Sequence, residues 1–386
     1  MTEVVGTVVG NQPPTFFYLP PGYVPFPKPW PETADDYWTG FQHGIYCWIL
    51  QTYLRLKASG FACSLVEDLP SEGVIVCLGP TIARDFKPSP QQFLVSIKSD
   101  NVEQPYAQIH IVQNPLDPLC RRNATIWSPY FIPLWPQTGL IGRDPNRGDR
   151  FENAAFFGHT KREIAPQLLA PEWQSELNNI GVRWTIQPAD LWNDYSNVDV
   201  FVGVRSFTKK PYFHKPFTKL LNAWRAGVPA ILGQDSAFKL IRRSELDYLE
   251  VTTEKELFEA IQRLKQDKGL REAMVAHGAV RAQELNNEDI VRKWRILLEE
   301  FVPQAWSKWR EAANYRERFL RLRSLNAIRL EAERSIVEGY APWLRNRPFD
   351  LDEVKSETRL YLKEARRRFD KEWERYRLQF KRKRRK

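Results

Sequence analysis

Apolar positions in this chain fall in short unbroken blocks of about four to seven residues, set off by glycine, proline and polar turns. Phe16–Leu19, Ala62–Val66, Gly73–Leu78, Phe93–Ile97 and Gln108–Val112 have this form in the first part. Blocks without alternation are expected for strands buried on both faces, as in a parallel sheet covered by helices. A helix is predicted at about 36–59, opened by Asp35-Asp36 and stopped by Gly60.

Between 132 and 150, Pro133, Pro136, Gly139, Gly142, Pro145 and Gly148 interrupt every period. A linker and domain boundary are placed there. Beyond it the alternation is regular. Strands are predicted at 154–157, 182–186, 198–204, 229–232 and 248–251, and helices at 161–179 and 217–226. Another helix starts at Ser236, and the capping box Thr253-x-x-Glu256 opens the next. This is the pattern of a doubly wound α/β domain. The expected organisation is a first Rossmann-like domain over 1–150, a second over 151–302, and a helical basic extension over 303–386.

Charge separates the extension from the rest. Residues 301–386 hold 25 Lys+Arg against 13 Asp+Glu, whereas the first 300 hold 32 against 34. The basic balance therefore belongs to the tail. There Leu362, Ala365, Phe369, Trp373, Tyr376 and Phe380 recur at helical spacing, with arginines mostly off that face. Such a helix suits packing against the protein, with its arginines solvated, or contact with an anionic membrane surface. No nucleic-acid module is recognisable, and nucleic acid is not expected as a partner. Cys47, Cys63, Cys77 and Cys120 form no C-x-x-C pair and lack histidines at ligand spacing, so buried thiols are expected rather than zinc or disulfides. The first residues lack signal-peptide features and no apolar run approaches membrane-spanning length, so a cytoplasmic protein is expected.

In a doubly wound sheet, ligands bind at the carboxyl ends of the strands. Three loops lie there in the second domain: Gly158 to Arg162, Arg205 to Lys210, and Gln234 to Ser236. The stretch 205–219 brings Arg205, Lys209, Lys210, Lys215 and Lys219 to a helix start, which suits a diphosphate. His159 is placed to touch a donor, Ser236 is expected to cap a helix, and the loop from Gln187 to Asp190 is expected beside a nucleobase.

Lys215–Phe238, KPFTKLLNAWRAGVPAILGQDSAF, resembles the donor-site segment of GT-B glycosyltransferases. Asn222-Ala-Trp-Arg-Ala-Gly227-Val-Pro229 is similar to the E-A-M-A-x-G-x-P run of the large retaining families. Glu256–Leu264 and Leu270–Met274 resemble the closing helices of that fold. The resemblance covers about 154–300; the first domain matches only in its α/β pattern. Where retaining members carry two glutamates eight positions apart, this chain has His214 and Asn222. The segment is closer to that of inverting α-1,3-fucosyltransferases, with Thr218 in place of the family's Glu.

By resemblance, Lys219 neutralises a leaving diphosphate, Arg205 is a second clamp, and Asn222 contacts the ribose or fixes the loop. Gly158, His159, Gln187, His214, Lys215, Thr218, Gln234, Asp235 and Ser236 complete the expected donor site. The implied reaction moves a sugar from a nucleoside diphosphate sugar to a hydroxyl acceptor, with inversion, no metal and no cofactor. A general base is required for the acceptor. His43 is the candidate, with Asp35, Asp36 and Glu67 as rivals. Two other readings are a sugar-nucleotide epimerase of the same fold and a non-catalytic scaffold recruited through its tail.

Overall fold

The computed structural model describes residues 12–22, 28–122 and 127–327. They contain two sheets, both wholly parallel. The first has strands β1 (Thr15–Tyr18), β2 (Ser64–Val66), β3 (Gly73–Leu78), β4 (Gln92–Ile97), β5 (Ile109–Val112) and β6 (Pro129–Phe131), in the order β2-β1-β3-β4-β5-β6. The second has β7 (Asn153–Phe157), β8 (Arg183–Gln187), β9 (Val200–Gly203), β10 (Ala230–Leu232) and β11 (Leu249–Glu250), in the order β11-β10-β9-β7-β8. The pairings of each sheet are in parallel register, for example Ala155 with Phe201 and Ile231 with Val202.

Each sheet reverses its winding once, between β1 and β3 in the first and between β7 and β9 in the second. Diverging connections at such a point leave a crevice at the strand ends. Both faces of the second sheet are covered. Successive β7 residues point to opposite faces: Ala154 and Phe156 enter one apolar cluster with Trp173, Leu257 and Ile261. Ala155 and Phe157 enter the other, with Leu220, Trp224 and Phe238. That is why the strands read as continuous apolar blocks.

The helices depart from the expected spans where glycine and proline intervene. In place of one helix over 36–59 there is a 3₁₀ turn at Thr39–Gln42, a π turn at Tyr46–Leu50, and then helix α1 (Gln51–Ala58). Gly40 packs against the Trp38 ring where no Cβ fits. In place of one helix over 161–179 there is a short turn at Thr160–Glu163, a 3₁₀ turn at Pro166–Leu169, and α2 (Pro171–Asn179). Pro166 and Pro171 each lack the N–H that a continuous helix needs. The remaining helices of this part are α3 (Thr218–Arg225), α4 (Ser236–Ile241), α5 (Glu254–Gln266), α6 (Lys268–Gln283), α7 (Asn287–Arg295) and α8 (Val302–Glu311).

The last of these return to the first domain. Trp294 of α7 packs edge-on to Phe17 of β1, and Arg295 donates to the Ser59 carbonyl at 2.8 Å. On α8 the Trp309 indole donates to the Ser89 carbonyl at 3.0 Å. Residues 303–311 thus pack with the sheets in one compact unit, Met1–Ala312, and a second unit starts at Ala313. Its described part, 313–327, is helical. The amphipathic face expected at 362–380 lies outside the described residues, and with it both the packing and the membrane contact that such a face suits. Among the described residues no helix is long and apolar enough to cross a membrane.

The linker is pinned to the second domain by one carboxylate. Asp199 accepts from Arg147 at 2.6 Å and from Arg143 at 3.0 Å. It also accepts the backbone N–H groups of Glu152 and Asn153 at 2.8 and 2.9 Å.

Candidate functional site

The carboxyl ends of the two sheets meet across a cleft of about 270 Å³. The first domain contributes Ser99 and Asp100 after β4, Gln113 after β5, Trp135–Thr138 after β6, and Gln51 at the start of α1. The second contributes Gly158, His159 and Glu163 after β7, Arg205 after β9, and Lys215, Thr218, Lys219 and Asn222 around the start of α3. These second-domain groups stand at the winding reversal between β7 and β9.

Three cations converge there on one carboxylate. Glu163 Oε2 accepts from Lys219 Nζ at 2.9 Å, and Oε1 accepts from Lys215 Nζ at 2.9 Å. Arg205 lies 3.8 Å from Oε1 and donates through Nε to Asp235 at 2.6 Å. Lys215 also pairs with Asp100 of the first domain. Burial alone would raise the Glu163 pKa, but Lys219, Arg205 and Lys215 hold it well below the usual carboxylate range. Burial, aided by Arg205, brings the Lys219 ammonium down to about 8. Asp235 is shifted upward by its burial, against the pull of Arg205.

Gly158 makes this approach feasible. Its φ is +151°, and a Cβ there would overlap Lys219 Nζ and stand 2.7 Å from Glu163 Oε2. The Lys219 ammonium also lies over the Phe156 ring, 4.7 Å from its centroid. The start of α3 has no side-chain cap.

Five residues lining the cleft carry a buried polar atom with no hydrogen-bond partner among the described residues. These atoms are Gln51 Nε2, Gln113 Oε1, Thr138 Oγ1, Thr218 Oγ1 and Arg205 Nη1. Leaving such a group unsatisfied costs on the order of 1–3 kcal/mol, so a polar molecule seated in the cleft would find partners in them. Ser99, next to Asp100, has φ +50°, an uncommon conformation for a non-glycine residue.

Of the residues expected from the sequence, Arg205, Lys219, Gly158, His159, Lys215, Thr218 and Asn222 line the cleft. Asn222 accepts the Gln137 N–H at 3.1 Å, joining α3 to the segment after β6. Asp235 is the buried partner of Arg205.

Others are placed differently. Ser236 does not cap α4: the cap position is Asp235, the Ser236 N–H donates to the Pro211 carbonyl, and its Oγ accepts from Asn114. Gln234 turns away to Glu250 at 3.1 Å and borders a separate hollow with Lys209. Gln187 accepts the Trp192 indole N–H through its carbonyl, and Trp192 rather than Gln187 lines the cleft. His214 stands outside the lining, its carbonyl engaged by Gln113, and burial lowers its pKa. His43 is exposed and outside the lining, although Gln42 and Gly44 beside it belong to it. His43 stands in the bend before the helical stretch that begins at Gly44, and not inside a helix as expected. Asp35 pairs with Arg55, and Glu67 with Lys28, both away from the cleft.

Glu163 and Asp100 were missed. Each sits in a short polar turn that reads as solvated surface, and only long-range pairing gives it a partner. Among the described residues no group of three or more His, Cys, Asp and Glu could hold a metal ion.

No protein-family model matches the chain, and no curated protein matches its sequence. Solved structures do. Sucrose-phosphate synthase from Thermosynechococcus elongatus is 16% identical over 59% of this chain and 73% of its own, with a TM-score of 0.44. Anabaena HepE in complex with UDP is 11% identical over 63% and 88%, with a TM-score of 0.42. Staphylococcus aureus TarM, in a complex that includes UDP, is 12% identical over 64% and 59%, with a TM-score of 0.45. The two parallel sheets and the helices that cover the second are the α/β architecture expected from the sequence.

Proposed function

We propose that the chain is a glycosyltransferase that moves a sugar from a nucleoside diphosphate sugar to a hydroxyl acceptor. The observation that carries this reading is the convergence of Arg205, Lys215 and Lys219 on one cleft, beside four buried amide and hydroxyl atoms with no hydrogen-bond partner among the described residues. Cations fixed before reaction stabilise charge that develops on a departing diphosphate, with no reorganisation at the moment of bond breaking. The unpartnered hydroxyl and amide groups suit a polyhydroxylated ligand. Resemblance of Lys215–Phe238 to a donor-site segment supports the same assignment.

In this reading Lys219 and Arg205 act on the diphosphate, Thr218 and Asn222 orient the donor, and no metal takes part. Transfer proceeds with inversion. The acceptor base comes from the first domain, and Asp100 replaces His43 in that role. Asp100 lines the cleft on the first-domain side, pairs with Lys215, accepts from Gln113 at 2.6 Å and follows the strained Ser99. The absence of both retaining-family glutamates suits the scaffold reading, but the cations gathered at the cleft favour transfer, and nothing favours the epimerase.

Calorimetric titration with UDP, GDP and ADP tests the proposal. Binding of at least one, reduced in Lys219→Ala, is expected. Absence of binding to all three would overturn it.

A further inference from the structure

The cation cluster is already neutralised from within. Arg205, Lys215 and Lys219 face Asp235, Asp100 and Glu163, and the partners are unequally committed. Arg205 keeps Asp235 at 2.6 Å whatever Glu163 does, and Lys215 keeps Asp100. Among the described residues Glu163 is the only acidic partner of Lys219. One carboxylate therefore spans two ammonium groups, one oxygen to each at 2.9 Å. Two oxygens of a phosphate group would make the same pair of contacts.

Glu163 is also carried on a short connecting piece. It ends the four-residue turn Thr160–Glu163, between Gly158 and Pro166, outside the longer helices and the strands. Its side chain remains 19% exposed. We propose that Glu163 is an internal stand-in for the diphosphate, displaced when the nucleotide binds, and that this exchange sets the anion selectivity of the cleft. The inference rests on the reading of the cleft as a diphosphate site.

The selectivity follows from charge. An incoming anion must replace a carboxylate that already satisfies Lys219 and Lys215. A singly charged anion gains nothing by the exchange, whereas a diphosphate brings more charge and more acceptor oxygens to the same cations. The cations hold Glu163 ionised, so it leaves by displacement rather than by taking up a proton. Its departure without a replacement would leave Lys219 half-buried and unpaired, which keeps the resting site occupied.

The test is titration of the full chain and its Glu163→Gln variant with inorganic pyrophosphate, UDP and UMP. Removal of the competing charge should tighten pyrophosphate and UDP at least about tenfold and narrow the preference for UDP over UMP. Unchanged or weaker affinity in a variant that melts like the parent would overturn the proposal and show Glu163 to be a fixed support for the lysines. A crystal structure of the unsubstituted chain with pyrophosphate is an independent check. Glu163 should be displaced from Lys219, and retention of both contacts beside the bound anion would refute the exchange. Failure of both proteins to bind any of the three anions would remove the diphosphate reading itself, and the exchange with it.

Discussion

Lys219 and Glu163 form a 2.9 Å ion pair directly against the backbone of Gly158, in the space a side chain there would fill. The close approach of strand end, turn and helix start at this point depends on one missing methyl group. Gly158→Ala is expected to force the pair apart and to strain a backbone held at φ +151°. A loss of about 1–3 kcal/mol in stability, by chemical denaturation, should accompany weaker nucleotide binding.

Lys219→Ala should weaken nucleoside diphosphate binding about ten- to a hundredfold, as expected for a charge-assisted contact. Lys219→Arg should recover only part of it, because the guanidinium is larger than the space beside Gly158. Calorimetry on both variants checks the pair of outcomes.

Binding should depend on pH through the same residue. Burial brings the Lys219 ammonium to about 8, below its ordinary 10.5. The charged form is the one that holds phosphate. Affinity should therefore be level below that pH and fall as pH rises through it. An isotherm series between about pH 6.5 and 9.5 would show this, and the Lys219→Ala variant should lose that slope.

The linker predicts a different pH effect, on folding. Asp199 is buried, and Arg147, Arg143 and two backbone N–H groups more than offset that burial, lowering its pKa from 3.8. A depressed carboxyl contributes stability that is complete above its unfolded value and is lost as pH falls toward the folded one. Asp199→Ala should cost about 3–5 kcal/mol by leaving Arg147 buried without its partner. It should also reduce the acid sensitivity of unfolding below about pH 4.

The strands were legible because burial on both sheet faces leaves only apolar residues, as in Val74–Leu78 and Val200–Val202. The two long helices were not, because periodicity ignores what Pro166, Pro171 and Gly40 do to the backbone. The cations of the site could be read from their clustering before α3. Their acidic partners could not, since Asp100 is far along the chain from Lys215 and nothing local marks Glu163 as its second partner. His43 was placed for a different reason: its neighbours Gln42 and Gly44 reach the cleft, while His43 itself is exposed and outside the lining.

The segment 214–219 bears the two lysines and is also fastened across the cleft. Gln113 donates to the His214 carbonyl at 2.8 Å, Asn114 donates to the Lys215 carbonyl at 3.1 Å, and Asn222 further along α3 holds the Gln137 N–H. A hinge opening that separates the sheets must break these bonds before it widens the cavity. Their combined strength then enters the activation barrier for ligand escape, and Asn114→Ala would shorten the residence time of a bound nucleotide without touching it.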